Sequence, residues 1–270
     1  MSKACAICKS AESGFYLTDY NGINYSKCDV CEYVFQDPVV PARSDEANWL
    51  AARDPDGKKR DLTQEKEFKL RNWYGDISSH FSPHSAGRIL DVGCGLGYLL
   101  SAFDSKWQKY GTELSPFCRE FVGLNFPEVN LIELDFGKER PSEFLNFFDV
   151  VVLYHVIEHV ENPKKFLLEV SSVLKPGGVM VVGTPNMESV VARRFRGNFR
   201  LLGPGHVGLF GVSNLTRLLE SVGFEVYFKE FPFFKTEYFT FKNLMRMWNV
   251  RRISPPFYGN IMTLYARKVS

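Results

Sequence analysis

The chain has 270 residues, of which 45% are hydrophobic and 24% charged, with a net charge of +2. These values predict an ordinary globular protein with one large domain and one small unit. No apolar run reaches the ~18 residues of a membrane span, which excludes a transmembrane segment. The N-terminus lacks the hydrophobic region of a signal peptide, so we expect a cytoplasmic location.

Positive charge is concentrated towards the C-terminus. Residues 185–270 hold 13 Lys/Arg and 5 Asp/Glu, whereas residues 1–184 hold 20 and 26. This asymmetry is typical either of a surface that meets an anionic partner or of a solvated basic face. The charge pattern alone does not decide between them.

The first forty residues contain two C-x2-C pairs, separated by 19 residues. Two thiolates on each of two tight turns can close a tetrahedron around Zn²⁺, so the pattern predicts a structural zinc ribbon over residues 1–40. The expected ligands are Cys5, Cys8, Cys28 and Cys31. A unit this small needs the metal to fold. We expect the ribbon to be a brace or a docking surface, and contact with substrate stays open.

Residues 41–84 are predicted to form a linker followed by a lid helix. Residues 41–60 are polar and rich in proline and charge, without a periodic apolar face. From about Asp61 to Ser82, apolar residues recur at helical spacing until Pro83. Tyr74 on this helix could reach a cofactor or could pack in the core.

Residues 85–270 alternate apolar strands with amphipathic helices. This order predicts an α/β fold with a Rossmann-like, doubly wound parallel sheet of seven strands. Asn162 and Ser213 are expected to cap two of the helices, which Gly177 and Gly223 are expected to end. The strands are expected near residues 88–92, 108–113, 129–133, 147–153, 178–183, 224–231 and 259–267.

A glycine-rich turn follows the first of these strands. Asp91 introduces Gly93, Gly95 and Gly97, a G-x-G-x-G spacing that differs from the dinucleotide fingerprint and, without Gly-Lys-Ser/Thr, from a P-loop. The second strand ends at Glu113, whose carboxylate can accept hydrogen bonds from both hydroxyls of a ribose. Because ligands bind at the carboxyl ends of such strands, the sequence predicts a nucleoside site there.

The run from Asp91 to Gly97 resembles motif I of the class I S-adenosylmethionine (SAM)-dependent methyltransferases, and the resemblance extends from about Arg88 to the C-terminus. It implies that the glycine turn meets the methionine end of SAM, that Glu113 binds the ribose and that Asp135 meets the adenine. The cofactor-binding residues expected from it are Asp91, Gly93, Cys94, Gly95, Gly97, Glu113, Leu114, Asp135, Phe136 and Tyr154.

Directly after the fourth core strand comes a histidine-rich segment. In a helix, His155 and His159 would share a face with Glu158, which is typical of a metal-ligand set. His206 lies in a later loop. These four residues are the candidate catalytic group, and a second divalent metal could bind there.

This segment is similar to that of small-RNA 3′-terminal 2′-O-methyltransferases and ubiquinone-pathway O-methyltransferases. Some of those proteins hold a divalent ion with E-x-x-E-H and a later histidine. Here His155 replaces the first acid, which favours Zn²⁺, Mn²⁺ or Fe²⁺ over Mg²⁺. Alternatively, no metal binds, the pair only shapes the pocket, and His155 acts as general base or orients the substrate.

Two further stretches near the C-terminus could contact the acceptor. Residues 187–205, with Arg193, Arg194, Arg196 and Arg200, could form a flap that binds phosphate or a solvated helix face. Residues 231–258 combine aromatic and basic side chains, which could cover an acceptor or form the core of an added helix.

The sequence therefore predicts a SAM-dependent methyltransferase that acts on a hydroxyl of a small molecule, sugar or glycan, with a phosphorylated or nucleotide-linked acceptor as one option. The alternatives are an RNA methyltransferase and a SAM-binding protein without catalysis. Nucleic acid is the less favoured partner, because no RNA-recognition motif is present. The sequence specifies neither the acceptor nor the oligomeric state.

Overall fold

The structure is a computed structural model that describes residues 4–40, 47–54, 57, 59–81, 86–133, 136 and 142–269. Its N-terminal unit is a small antiparallel sheet, in which β1 (Ser13–Thr18) pairs with β2 (Asn24–Cys28) and β2 pairs with β3 (Val34–Gln36). The two C-x2-C turns flank this sheet. All four cysteine sulfurs lie within 4.8 Å of one another.

The segment predicted as a linker and lid contains short elements. These are helix α1 (Ala47–Leu50), strands β4 (Ala52–Arg53) and β5 (Lys59–Arg60), a 3₁₀ turn (Leu62–Gln64), α2 (Lys66–Lys69), a π turn (Leu70–Tyr74) and α3 (Gly75–His80). The predicted lid helix is thus present but interrupted by a π turn, a feature often found at functional sites. Its predicted end, at Ser82 and Pro83, lies outside the described residues.

Seven strands form the central sheet, as predicted. They are β6 (Gly87–Val92), β7 (Trp107–Thr112), β8 (Val129–Leu131), β9 (Phe148–Tyr154), β10 (Leu174–Pro185), β12 (Phe224–Glu230) and β13 (Ile261–Lys268). The remaining strand, β11 (Gly208–Leu209), belongs to the N-terminal sheet. The strand order is β12-β13-β10-β9-β6-β7-β8.

The sheet is mainly parallel. The prediction of a wholly parallel sheet was wrong for β13, which runs antiparallel to both β10 and β12. An antiparallel neighbour needs no crossover helix, so the connection from β12 to β13 is free to form a surface excursion. That excursion is the 231–258 stretch.

Helices cover both faces of the sheet, and each face buries its own apolar cluster. The helices are α4 (Tyr98–Ser101), α5 (Pro116–Asn125), α6 (Pro163–Val173), α7 (Val190–Phe195), α8 (Val212–Glu220) and α9 (Phe241–Arg246). The fold is therefore doubly wound, as predicted. No helix among the described residues has the length and apolar character needed to span a membrane.

Two predicted helix boundaries were wrong. Helix α6 begins at the Asn162 cap as expected, but it ends before Gly177, because Leu174 is already extended and opens β10. Helix α8 is capped by Gly211 rather than Ser213. The Gly211 N–H donates to Asn214 Oδ1, and Ser213 N–H donates to Glu188 Oε1.

The N-terminal unit is built into the rest of the chain. Strand β11, from the loop after β10, adds to the edge of β3 and completes a four-stranded sheet. The Tyr20 hydroxyl donates to the Leu202 carbonyl at 2.9 Å, and Gln36 Nε2 donates to the Gly203 carbonyl at 2.8 Å. The unit therefore contacts residues 199–209 directly, and its expected role as a brace or a docking surface stays a prediction.

Candidate active site

The glycine turn lies between β6 and α4, at the carboxyl end of the sheet. Gly93, Gly95 and Gly97 have φ angles of +70°, +52° and +74°, in the left-handed region that favours glycine. A Cβ on Gly93 would lie 3.0 Å from a Val156 methyl. A Cβ on Gly97 would lie 3.1 Å from Val122. A side chain at any of these three positions would be strained by the positive φ angle.

The carboxylate of Glu113 points at the glycine turn. Its Oε2 accepts the Gly95 N–H and its Oε1 accepts the Ser115 N–H, each at 2.8 Å. Asp91 is buried beneath the turn, where burial and the nearby Glu113 charge raise the pKa of its carboxyl well above the usual range. The two acids and the glycine backbone thus form one continuous polar cradle.

The other predicted cofactor residues have different surroundings. Cys94 is buried under the turn, its N–H donating to Thr112 O, whereas the Leu114 side chain is 79% exposed beside Glu113. Tyr154 is buried with its ring edge-on to Tyr74. Phe136 packs in the core against Phe166, and Asp135 lies outside the described residues.

Trp49 reaches the same turn from helix α1. A Cβ on Gly95 would lie 3.2 Å from the Trp49 indole. The sequence interpretation of residues 41–60 as a linker missed this contact, because one tryptophan in a polar stretch has no periodicity. The only available signal was the size of that apolar side chain in polar surroundings.

The histidine segment is not the predicted helix. His155 has a φ of +59°, and only Ile157–His159 form a single 3₁₀ turn. His155 Nδ1 lies 2.9 Å from Glu158 Oε1. The prediction that His155 and His159 share a helical face was therefore wrong.

Glu158, His159 and His206 converge instead, each with one ligand atom within 4.8 Å of the others. His159 Nδ1 lies 2.9 Å from Gly205 O and His206 Nδ1 lies 2.7 Å from Leu201 O. A carbonyl only accepts hydrogen bonds, so both Nδ1 atoms carry the proton and both Nε2 atoms keep a lone pair. Metal-binding histidines are commonly oriented in this way.

Glu158 is fully buried and lies at the centre of this group. Burial alone would raise the pKa of its carboxyl, but the His155 hydrogen bond and the neighbouring imidazoles lower it to about 2. Its Oε2 also accepts the Thr184 hydroxyl at 2.9 Å. Burial lowers the pKa of His206. The group thus combines a fixed carboxylate with a neutral imidazole at neutral pH.

A cavity of about 210 Å³ adjoins His155 and Tyr154. Lid residues, the start of the 199–209 loop and the 231–258 excursion form its other walls. Of the four predicted flap arginines, only Arg200 lines it, whereas Arg193, Arg194 and Arg196 are exposed elsewhere. The cavity is lined by Asp54, Arg60, Lys69, Trp73, Tyr154, His155, Arg200, Leu201, Pro232, Phe233, Tyr238, Pro256, Phe257, Asn260 and Ile261.

The excursion over residues 231–258 contains one short helix and few core residues. Phe233 is buried, but Phe234, Phe239, Phe241 and Trp248 are exposed. The interpretation of this stretch as the core of an added helix does not fit these aromatic residues, because Phe233 lies before the helix and Phe241, in the helix, is exposed. Phe233 and Phe257 are the phenylalanines that reach the cavity.

A sequence profile described as a methyltransferase domain matches residues 48–227, which include the glycine turn, Glu113 and the histidine group. The chain belongs to the SAM-dependent methyltransferase family. The match begins at residue 48, so it includes Trp49 and the lid. The resemblance seen in the sequence is confirmed.

Curated relatives of this methyltransferase match over part of their length. A probable S-adenosylmethionine-dependent methyltransferase of Mycolicibacterium smegmatis is 33% identical over 52% of this chain and 53% of its own. A ubiquinone biosynthesis O-methyltransferase of Rickettsia bellii is 31% identical over 41% of this chain and 47% of its own. The chain thus spans about half the length of these relatives.

Solved structures support the same fold. A chain from the complex of the Haloferax volcanii Trm112 methyltransferase activator with a methyltransferase aligns at a TM-score of 0.58 and 16% identity, covering 85% of this methyltransferase and 100% of that chain. A SAM-dependent methyltransferase from Aquifex aeolicus aligns at 0.52 and 17% identity, covering 74% and 93%. At such identities the likeness concerns the fold alone.

Proposed function

We propose that this methyltransferase transfers a methyl group from SAM to a hydroxyl oxygen of a small molecule, sugar or glycan. The observation that carries the proposal is the position of His155 in the cavity wall, hydrogen-bonded to the buried Glu158 carboxylate. A carboxylate that holds a histidine in one tautomer is a common general-base arrangement. The relatives named as ubiquinone biosynthesis O-methyltransferases also support an oxygen acceptor.

The cradle fits SAM. The positive-φ glycines leave backbone and no side chain at the turn, which suits an amino-acid tail, and the Glu113 carboxylate suits two ribose hydroxyls. When bound, SAM supplies a methyl group already activated by its sulfonium. The chain's own task is to align the acceptor with that methyl and to exclude water.

His155 is the proposed general base. Its Nδ1–H donates to Glu158, so its Nε2 keeps the lone pair that takes the proton of the acceptor hydroxyl. The acceptor oxygen forms a bond to the methyl carbon as the carbon–sulfur bond breaks. The products are a methyl ether, S-adenosylhomocysteine and a protonated His155.

Glu158, His159 and His206 are the proposed ligands of a divalent metal. Two imidazoles and an ionised carboxylate, each with one ligand atom within 4.8 Å of the others, suit Zn²⁺, Mn²⁺ or Fe²⁺ better than Mg²⁺. Such an ion would lower the pKa of a bound hydroxyl. His155 contacts Glu158 rather than joining this set, so its role as base does not depend on the metal.

The four N-terminal cysteines are the proposed ligands of a structural Zn²⁺. The sulfurs of Cys5 and Cys31 are 3.5 Å apart, as are those of Cys8 and Cys28. These separations exclude disulfides and approach the roughly 3.8 Å expected between sulfurs of a tetrahedron with ~2.3 Å Zn–S bonds.

Labelled SAM and metal analysis test the whole proposal. We expect a labelled methyl ether from a hydroxylated acceptor and two equivalents of metal, of which Cys28→Ser loses the cysteine-bound one and Glu158→Gln keeps it. The control, Glu220→Gln, alters an exposed glutamate and should keep both equivalents. A label found on nitrogen or carbon would contradict the oxygen acceptor. A single equivalent, with full activity in chelator, would leave only the cysteine site.

The structure gives no support to an RNA methyltransferase with a basic surface that includes Arg60. That guanidinium lines the cavity and pairs with Asp54 at 3.1 Å and with Glu65. Lys58, which stands next to Lys59 and Arg60 in the sequence, lies outside the described residues.

A further inference from the structure

The cavity beside His155 is basic on its lid side. Three basic side chains line it, Arg60, Lys69 and Arg200, against one acidic side chain, Asp54. The predicted concentration of positive charge was in residues 185–270, yet two of these three cations come from residues 60–69. The positive charge of the cavity wall therefore comes both from residues 60–69 and from the C-terminal part of the chain.

Arg60 has its counterions within the protein. Its Nη1 lies 3.1 Å from Asp54 Oδ1 and its Nε lies 2.6 Å from Glu65 Oε1, while its Nη2 also contacts Glu65. Two carboxylates thus balance this guanidinium. Through these contacts Arg60 links β5 to Glu65, directly before helix α2.

Lys69 differs from Arg60. It is the last residue of α2, and no carboxylate among the described residues lies within 4.0 Å of its Nζ. Its ammonium lies 5.3 Å from the centre of the Trp73 ring. Burial, with the nearby Arg60 charge, lowers the pKa of Lys69 to about 8. A cation held in this way still has room for an anionic partner.

Flat side chains surround this cation. The Trp73 and Tyr238 rings are 5.9 Å apart and tilted by 37°, and the Phe233 and Phe257 rings are 4.9 Å apart. All four line the cavity. Such walls suit a planar or aromatic ligand, because aromatic rings pack well against one another.

We propose that Lys69 binds an anionic group of the methyl acceptor, a carboxylate or a phosphate, so that the acceptor is a hydroxylated, planar organic anion. The assignment rests on the proposed function, because it places the acceptor in the cavity that His155 lines. Lys69 binds the anionic end, and the aromatic rings pack against the body of the molecule.

Binding without turnover tests the assignment directly. With S-adenosylhomocysteine present, we expect benzoate to bind about tenfold more tightly than benzamide, which has the same shape without the charge. Lys69→Met should remove this preference and Lys69→Arg should keep it. Equal affinities in the wild type, or a preference that survives Lys69→Met, would overturn the proposal. Competition with phenyl phosphate identifies the favoured anion, and displacement by either anion supports the site.

The pH dependence separates charge from shape. The anion binds the protonated amine, so benzoate affinity should be constant below about pH 8, the pKa of Lys69 in the free protein, and should fall as the pH rises above it. Arginine stays charged in this range, so Lys69→Arg should give a flat profile. The other charged or titratable groups facing Lys69 are Asp54, Arg60, Glu65, Tyr238, His155 and Arg200. A wild-type profile that Lys69→Arg does not change would assign the pH dependence to one of them and would contradict the proposal.

Turnover distinguishes this inference from the proposed function. With 3,4-dihydroxybenzoate as acceptor, Lys69→Met should raise KM about tenfold with little change in kcat. If wild type methylates catechol and 3,4-dihydroxybenzoate with equal kcat/KM, the anion site fails while O-methylation stands. If wild type prefers benzoate to benzamide but methylates no hydroxyl, the anion site stands and O-methylation fails.

Discussion

In the proposed cofactor site, the Glu113 carboxylate is held in place by the protein itself. Its two carboxylate oxygens accept N–H groups from the glycine turn and from the start of α5. The acid is thus fixed where a ribose would meet it, and little ordering remains for the binding step. Preorganisation of this kind strengthens binding mainly by lowering its entropic cost.

The first residue-scale prediction concerns this carboxylate. Glu113→Gln removes the charge that strengthens hydrogen bonds to ribose hydroxyls, so we expect S-adenosylhomocysteine to bind about tenfold more weakly in calorimetry. Glu133→Gln is the matched control, because the Glu133 side chain is 90% exposed. Unchanged affinity in Glu113→Gln would place the ribose elsewhere.

The sequence predicted the positions of those candidate site residues whose placement depends on local structure. Gly93, Gly95, Gly97 and Glu113 follow buried strands directly, so their position at the sheet edge could be inferred from strand order. Trp49 and Lys69 could not be found in this way, because their roles depend on how the lid folds over the sheet. His155 is an intermediate case. The sequence identified its segment as a candidate site, but it did not predict the positive φ angle of this residue.

At the scale of elements, the N-terminal sheet and the chain after α7 approach each other so closely at Gly197 that no side chain fits there. Gly197 follows α7, and a Cβ there would lie 2.1 Å from the Thr18 carbonyl oxygen in β1. A backbone atom cannot rotate away as a side chain can. The two elements must therefore separate if any larger residue is placed at Gly197.

Gly197→Ala tests this contact. Overpacking costs about 1–3 kcal/mol, so the unfolding temperature should fall by roughly 2–4 °C for each kcal/mol lost. Gly14→Ala, in the same strand β1, is the control, because its Cβ would have no atom within 4 Å. Thermal unfolding followed by circular dichroism measures both. Equal temperatures for the two variants would show that the loop shifts at little cost.

Element positions were predictable where burial makes the sequence apolar, and less so elsewhere. Strands β6 and β9 lie close to their expected ranges because a strand buried on both faces needs a continuous apolar run. The reversed direction of β13 and the two-residue strand β11 leave no such pattern. Both depend on where the chain returns in space.

For the whole molecule, the N-terminal unit and the histidine group are mechanically linked. His206 lies two residues before β11, and its Nδ1 donates to Leu201 in the loop that Tyr20 and Gln36 hold. Loss of the cysteine cluster should therefore disturb His206 without touching the cofactor cradle. As a brace, the N-terminal unit is therefore expected to position His206.

Cys28→Ser measures this link. We expect faster amide hydrogen exchange over residues 199–209 and a lower kcat, with S-adenosylhomocysteine affinity kept within about twofold, because the glycine turn lies in the other sheet. Lys27→Ala is the control, since it removes an ion pair with Glu32 and a contact with the Tyr16 ring but no cysteine. Equal losses of cofactor affinity and kcat would instead indicate general unfolding.

The placement of β11 also limits how this protein can be rebuilt. A strand of two residues, Gly208 and Leu209, belongs by pairing to the N-terminal sheet and by chain position to the catalytic half. A graft of residues 1–40 onto another methyltransferase would therefore arrive with an unpaired edge. The recipient would have to contribute its own compatible pair of residues.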